Sequence, residues 1–118
     1  MAKTQNNSVE YHKNILEERF RYKCRKEFPV PRNGNLHAID LGCFHKKMIT
    51  IGMEIESSKN FNIPQIQSNA EDLKEFARLF NAKTFHIHAS DIIDFDKVLK
   101  PQINSIIKPR PIIRRYNG

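Results

Sequence analysis

Leu36-His37-Ala38-Ile39-Asp40-Leu41-Gly42-Cys43-Phe44 and Met48-Ile49-Thr50-Ile51-Gly52-Met53-Glu54-Ile55-Glu56 decide how this 118-residue chain is read. Both stretches are short and rich in apolar, β-branched residues, and only His45-Lys46-Lys47 separates them, so they read as a β-hairpin. In the second, Ile49, Ile51, Met53 and Ile55 take one face, and Met48, Thr50, Gly52, Glu54 and Glu56 the other. Glu54 and Glu56 therefore point the same way, about 6–7 Å apart along the strand. Gly52 is expected to leave open space beside them. Asp40 joins them conditionally: a connection of three or five residues sets it directly opposite Glu54, whereas a two-residue Lys46-Lys47 turn sends it to the wrong face.

Upstream, Ser8 is a candidate N-cap, and Leu16, Phe20 and Cys24 recur every four residues with Ile15 and Phe28 alongside. This spacing predicts a helix over about 9–27 and leaves about 1–8 as a flexible N-terminus. Pro29 and Pro31 end it, and Phe28-Pro-Val-Pro-Arg32 reads as an edge strand because two amides are missing. Asn33-Gly34 is a turn signal. Downstream, Ser68 and Glu71 suggest a capping box, Leu73, Phe76, Ala77 and Phe80 form an apolar stripe, and Asn81 is a left-handed stop. Residues 83–90 read as a further strand and 91–100 as a short helix. The order predicts one mixed α/β domain spanning 1–118, with a basic C-terminal arm over about 101–118.

The composition, 39% hydrophobic and 28% charged, suits a single compact core. Twenty Lys and Arg against 13 acids give a formal charge of +7, and the surplus sits at the two ends while residues 36–100 are slightly acidic. An acidic partner is the first expectation. No apolar run approaches the roughly 20 residues that span a bilayer, and the N-terminus is polar, so neither a membrane span nor a signal peptide is expected. Cys24 and Cys43 lack a metal-site spacing and read as buried thiols of a cytoplasmic, intracellular protein. Four scattered glycines exclude a Gly-rich phosphate loop.

Asp40, Glu54 and Glu56 carry the chemistry. Converging carboxylates repel one another unless a cation lies between them, and Mg²⁺, with Mn²⁺ as its substitute, is the usual hard partner. Such an ion activates water and neutralises a phosphodiester. The plainer alternative leaves Glu54 and Glu56 on a solvated sheet face and Asp40 in a turn.

Ile39-Asp40, thirteen intervening residues and Glu54-Ile55-Glu56, with a helix before and a helix–strand unit after, resemble the PD-(D/E)XK nuclease superfamily. The stretch from Glu71 to Ser90 is similar to the corresponding helix and strand of archaeal Holliday junction resolvases. The resemblance covers about residues 10–90 and implies a restriction-endonuclease-like αβββαβ core with a mixed sheet flanked by helices. It also implies a Mg²⁺-dependent endodeoxyribonuclease in which Asp40 and Glu54 ligate the metal. The family's usual Lys falls at Glu56, a departure that assigns this position to a general base or a second metal, or else marks a non-cleaving member. Many members place a Glu of the first helix near the metal, which points to Glu17, although Glu17 reads equally well as an exposed acid. Gln65 and Gln67 fall where relatives carry a polar residue that contacts the site.

Arg19, Lys23 and Lys26 are expected to share one face of the first helix. With Lys108, Arg110, Arg114 and Arg115 of the arm they read as two grips on a DNA backbone. His86 and His88 alternate on the last strand with Asp91 after them, which raises a weaker zinc-hydrolase reading. The leading expectation is a structure-selective, junction resolvase-like nuclease acting as a homodimer. The alternatives are a restriction-type endonuclease and a non-catalytic nucleic-acid-binding protein on a degenerate nuclease fold.

Overall fold

A computed structural model describes residues 2–46 and 49–99. Its elements run α1 (Ala2–Phe20), β1 (Lys23–Arg32), β2 (Asn35–Phe44), β3 (Ile51–Glu56), α2 (Pro64–Phe80) and β4 (Lys83–His88), followed by a helical turn over residues 95–99. The sheet order is β1-β2-β3-β4; β1–β2 and β2–β3 are antiparallel and β3–β4 is parallel, with α2 as the crossover. The architecture is α/β and compatible with the αβββαβ core expected from the sequence. The C-terminal arm, with Lys108, Arg110, Arg114 and Arg115, lies outside the described residues, as does Met48.

The first helix is displaced from its expected bounds. It begins at Ala2, so residues 2–8 are helical rather than a loose N-terminus, and Ser8 lies inside it, buried beside His12. It ends at Phe20, where Arg21 takes a left-handed conformation (φ 64°) and Tyr22 N–H donates to the Leu16 carbonyl. Cys24 continues the Leu16–Phe20 series only numerically. It belongs to β1, directly opposite Cys43, and the two are joined by a disulfide with Cα atoms 4.0 Å apart. The reading of two free thiols is thereby corrected.

β1 lies at the sheet edge, which accommodates Pro29 and Pro31. Asn33 (φ 54°) and Gly34 (φ 79°) form the two-residue turn that pairs Arg32 with Asn35. α2 starts at Pro64, whose fixed φ suits the first helical turn, four residues before the expected cap at Ser68. Ser68 instead accepts a hydrogen bond from Arg32. Asn81 closes α2 in the left-handed conformation, as expected.

Two apolar layers enclose the sheet. Leu16, Leu41, Cys43, Ile51, Met53 and Ile55 pack on the α1 side, and Val30, Ile39, Leu73 and Phe76 on the α2 side. Gly52 lies under α2, but the space beside it is filled: a Cβ there would stand 2.5 Å from Phe76 Cδ2. The expected opening is therefore a close helix–sheet contact.

Candidate functional site

The β2–β3 register pairs Leu41 with Met53 and Cys43 with Ile51, an odd-numbered connection that brings Asp40 to the level of Glu54. Regular pairing stops at Leu41. On the other flank Glu27 (φ 53°) drops out of the β1–β2 ladder opposite Asp40, and β2 turns over there, with Leu41 packing on the α1 side and Ile39 on the α2 side. Asp40 thus occupies the point where β2 leaves β3. Its Oδ2 accepts the Ile55 N–H at 2.7 Å, and Gln5 of α1 donates to the Ile55 carbonyl at 2.6 Å. Two side chains thereby complete a backbone unit that the ladder leaves open.

Glu54 is 3% exposed, and its Oε2 is buried with no hydrogen-bond partner. Burial first, then the charge and contact of Asp40 and the charge of Glu56, push its carboxyl up to about 10. Burial also raises Asp40, although the Ile55 N–H and contacts with Glu54 and Gln5 oppose the shift. Glu54 is accordingly protonated at neutral pH in the metal-free protein. Glu56 is buried too, and its Oε2 accepts Asn69 Nδ2 at 2.9 Å and meets His86 Nε2 at 2.8 Å. Gln65 donates to Asn69 Oδ1 at 3.0 Å, and Phe61 packs on the His86 ring.

Asp40, Glu54 and Glu56 are therefore brought together, with Asp40 and Glu54 in contact and Glu56 held from α2 and β4. Among the described residues no three His, Cys, Asp or Glu side chains close on one point as a metal cluster. A two-carboxylate site still fits a hard cation, because Mg²⁺ characteristically uses one or two carboxylates and fills its shell with water and phosphate oxygens. Glu54 Oε2, buried and without a hydrogen-bond partner among the described residues, is the atom that would be available as a ligand.

The remaining candidates are placed differently. Glu17 receives Lys13 Nζ at 3.1 Å and the Cys24 N–H at 3.2 Å; the α1 residue that reaches Asp40 and Ile55 is Gln5. Gln65 and Gln67 lie on α2 rather than before it, and Gln65 reaches Glu56 only through Asn69. Arg19, Lys23 and Lys26 do not share a helix face, because the last two are in β1. Arg19 holds both Asp96 carboxylate oxygens at 2.9 and 2.8 Å, and Lys26 pairs with Glu10. His88 Nδ1 meets Ser90 Oγ while His86 faces Glu56, so the two imidazoles take separate partners. Asn69 and Gln5 carry no sequence signal of their own, and the alternation that marks His86 points to zinc rather than to Glu56; all three reach the site only through tertiary packing.

Compared with protein-family models, with curated proteins and with solved structures, the chain gives no match. No described helix is long and apolar enough to cross a membrane.

Proposed function

We propose that the protein is a metal-dependent DNA endonuclease, junction resolvase-like in selecting structure rather than sequence. One observation carries the reading: a buried Glu54 carboxyl, in contact with Asp40 and near Glu56, with an oxygen that no described residue satisfies. Asp40 and Glu54 would hold Mg²⁺ or Mn²⁺. The ion supplies Lewis acidity toward water and the phosphodiester. Glu56, held by Asn69 and His86, falls where the superfamily carries its Lys and would serve as the general base toward water. Cutting two strands calls for two such sites, hence a homodimer. A chromosomal or plasmid substrate goes with a cytoplasmic location. The Cys24–Cys43 bond, which cytosolic reductants keep open, speaks against that location, and a thiol count on freshly isolated protein tests it.

The second reading, a nucleic-acid-binding protein that does not cut, is favoured by one feature: Asp40 already serves the Ile55 backbone. Supercoiled, linear and four-way-junction DNA, each incubated with Mg²⁺ or Mn²⁺ and with EDTA, separate the readings. The nuclease cuts junctions first, and Asp40→Ala and Glu54→Ala each lower scission at least about 100-fold without weakening binding. A restriction-type enzyme cuts linear duplex at fixed sequences. Salt-dependent binding without scission in Mn²⁺ establishes the binding protein, and wild-type scission by both variants removes the acids from the mechanism.

A further inference from the structure

At the opposite end of β3 from Glu54 lies a cavity of about 560 Å³ lined by Arg21, Lys23, Phe44, His45, Lys46 and Thr50. Lys13, Arg19, Lys26, Arg32, Lys74 and Arg78 each sit against a carboxylate. Among the described residues Arg21, Lys23 and Lys46 have no such partner, and neither have Arg25, Lys59, Lys83 and Lys97; the first three, however, share this one cavity, and no described acid lines it. Three cations on one wall repel one another unless an anion joins them.

Each cation is delivered by a different piece of backbone. Arg21 is set by the left-handed end of α1, Lys23 stands opposite Phe44 at the start of β1, and Lys46 follows the end of β2. His45, packed against Tyr22, carries a buried Nδ1 without a hydrogen-bond partner among the described residues. A buried polar atom left unpaired calls for a partner.

We propose that this cavity binds a phosphate group. Arg21, Lys23 and Lys46 neutralise its oxygens, and His45 Nδ1–H and the Thr50 hydroxyl are the available hydrogen-bond donors. The volume admits a nucleotide unit. Thr50 and Glu54 are four residues apart, about 13 Å along an extended chain. If the nuclease reading holds, a strand gripped here continues toward the acid centre; phosphate binding itself does not depend on that reading.

The test uses the full chain in EDTA, so cleavage plays no part. Inorganic phosphate is titrated by ¹H–¹⁵N NMR, and a fluorescent oligothymidylate by anisotropy, against wild type, the pocket triple Arg21→Gln/Lys23→Gln/Lys46→Gln, and a control triple Lys74→Gln/Lys83→Gln/Lys97→Gln of equal charge change. Expected are shifts at residues 21–23 and 44–50, at least about tenfold weaker oligonucleotide binding in the pocket triple, and a salt slope smaller by about two. The control changes affinity by no more than about twofold. Shifts with phosphate but no oligonucleotide binding assign the cavity to free phosphate or a phosphomonoester and leave the cavity proposal standing while the DNA reading fails. Wild-type binding by the pocket triple, or no shift at these residues with either probe, overturns the proposal. Should the triple fail to fold, Lys46→Glu on the exposed turn gives the same reading.

Discussion

Carboxylates are buried on the α2 side of the sheet in two places, and only one of them has its own cation. Asp72 of α2 meets Arg32 Nε at 2.6 Å and His37 Nδ1 at 3.3 Å, while Arg32 also holds Ser68. Among the described residues Glu54 has no ion-pair partner; it shares its site with Asp40 and with Glu56, which meets His86 Nε2 at 2.8 Å. The first arrangement clamps α2 onto the β1–β2 hairpin and is complete as it stands. The second is stable only with a proton or an external positive charge. A buried acid that brings its own partner is structural, and one that does not is a candidate site.

The largest expected effect breaks the clamp. Arg32→Ala leaves Asp72 buried without its guanidinium and is expected to cost about 3–5 kcal/mol. Replacing both residues by apolar ones of similar size recovers most of that loss. Chemical denaturation of the two variants measures the difference, and an Arg32→Ala cost below about 1 kcal/mol would contradict the clamp.

The matching change at the acid centre has the opposite sign. Glu54 titrates near 4.5 when unfolded and at about 10 when folded, so between these values the folded state binds the extra proton. Stability is fully present at acid pH and falls as pH rises through this window, by up to about 1.4 kcal/mol per unit. The raised Asp40 adds to the same slope. Glu54→Gln should flatten it and raise the stability of the metal-free protein at pH 7 by up to about 3 kcal/mol. Urea midpoints from pH 5 to 9 in EDTA decide the point, and an unchanged slope in the variant means that Glu54 ionises normally.

Addition of Mg²⁺ or Mn²⁺ sharpens the comparison further, because only the acid centre has a vacancy of charge. A cation that binds the folded state alone raises stability by about 2.7 kcal/mol at a hundredfold excess over its Kd. The melting temperature of wild type should rise with either ion, and that of Glu54→Gln should not, while Arg32→Ala keeps the response. Equal shifts in wild type and Glu54→Gln place the ion elsewhere.

How much of this was readable beforehand follows from the range of each interaction. The Asn33-Gly34 turn, the Asn81 stop and the alternation along β3 are local, and the sequence shows them directly. The level of Asp40 with Glu54 depended on the parity of one connection, which the sequence narrowed to two cases. The end of α1 is not legible locally, because Leu16, Phe20 and Cys24 keep helical spacing across a turn, and only the pairing of Cys24 with Cys43 shows that a strand has begun. Asn69 and His86 are 13 and 30 residues from Glu56, and Gln5 is 50 from Ile55, so no local pattern joins them. Gly52 reads as space in one strand but is occupied by Phe76 from another element.

The smallest effect belongs to the exposed ion pairs, which are neither clamp nor site. Arg19 and Asp96 form a two-pronged contact, yet both side chains are more than half exposed, so water competes with the pair. Arg19→Ala is expected to cost no more than about 1 kcal/mol. Arg19 is committed to Asp96 through Nη2, and a phosphate would have to compete with that carboxylate, whereas Lys23 faces a cavity with no described acid. The salt slope of DNA binding should therefore be unchanged in Arg19→Ala and smaller by about 0.7–0.9 in Lys23→Ala. A slope that falls by the same amount in Arg19→Ala would mean that DNA displaces Asp96 and that the grip extends from the cavity onto α1.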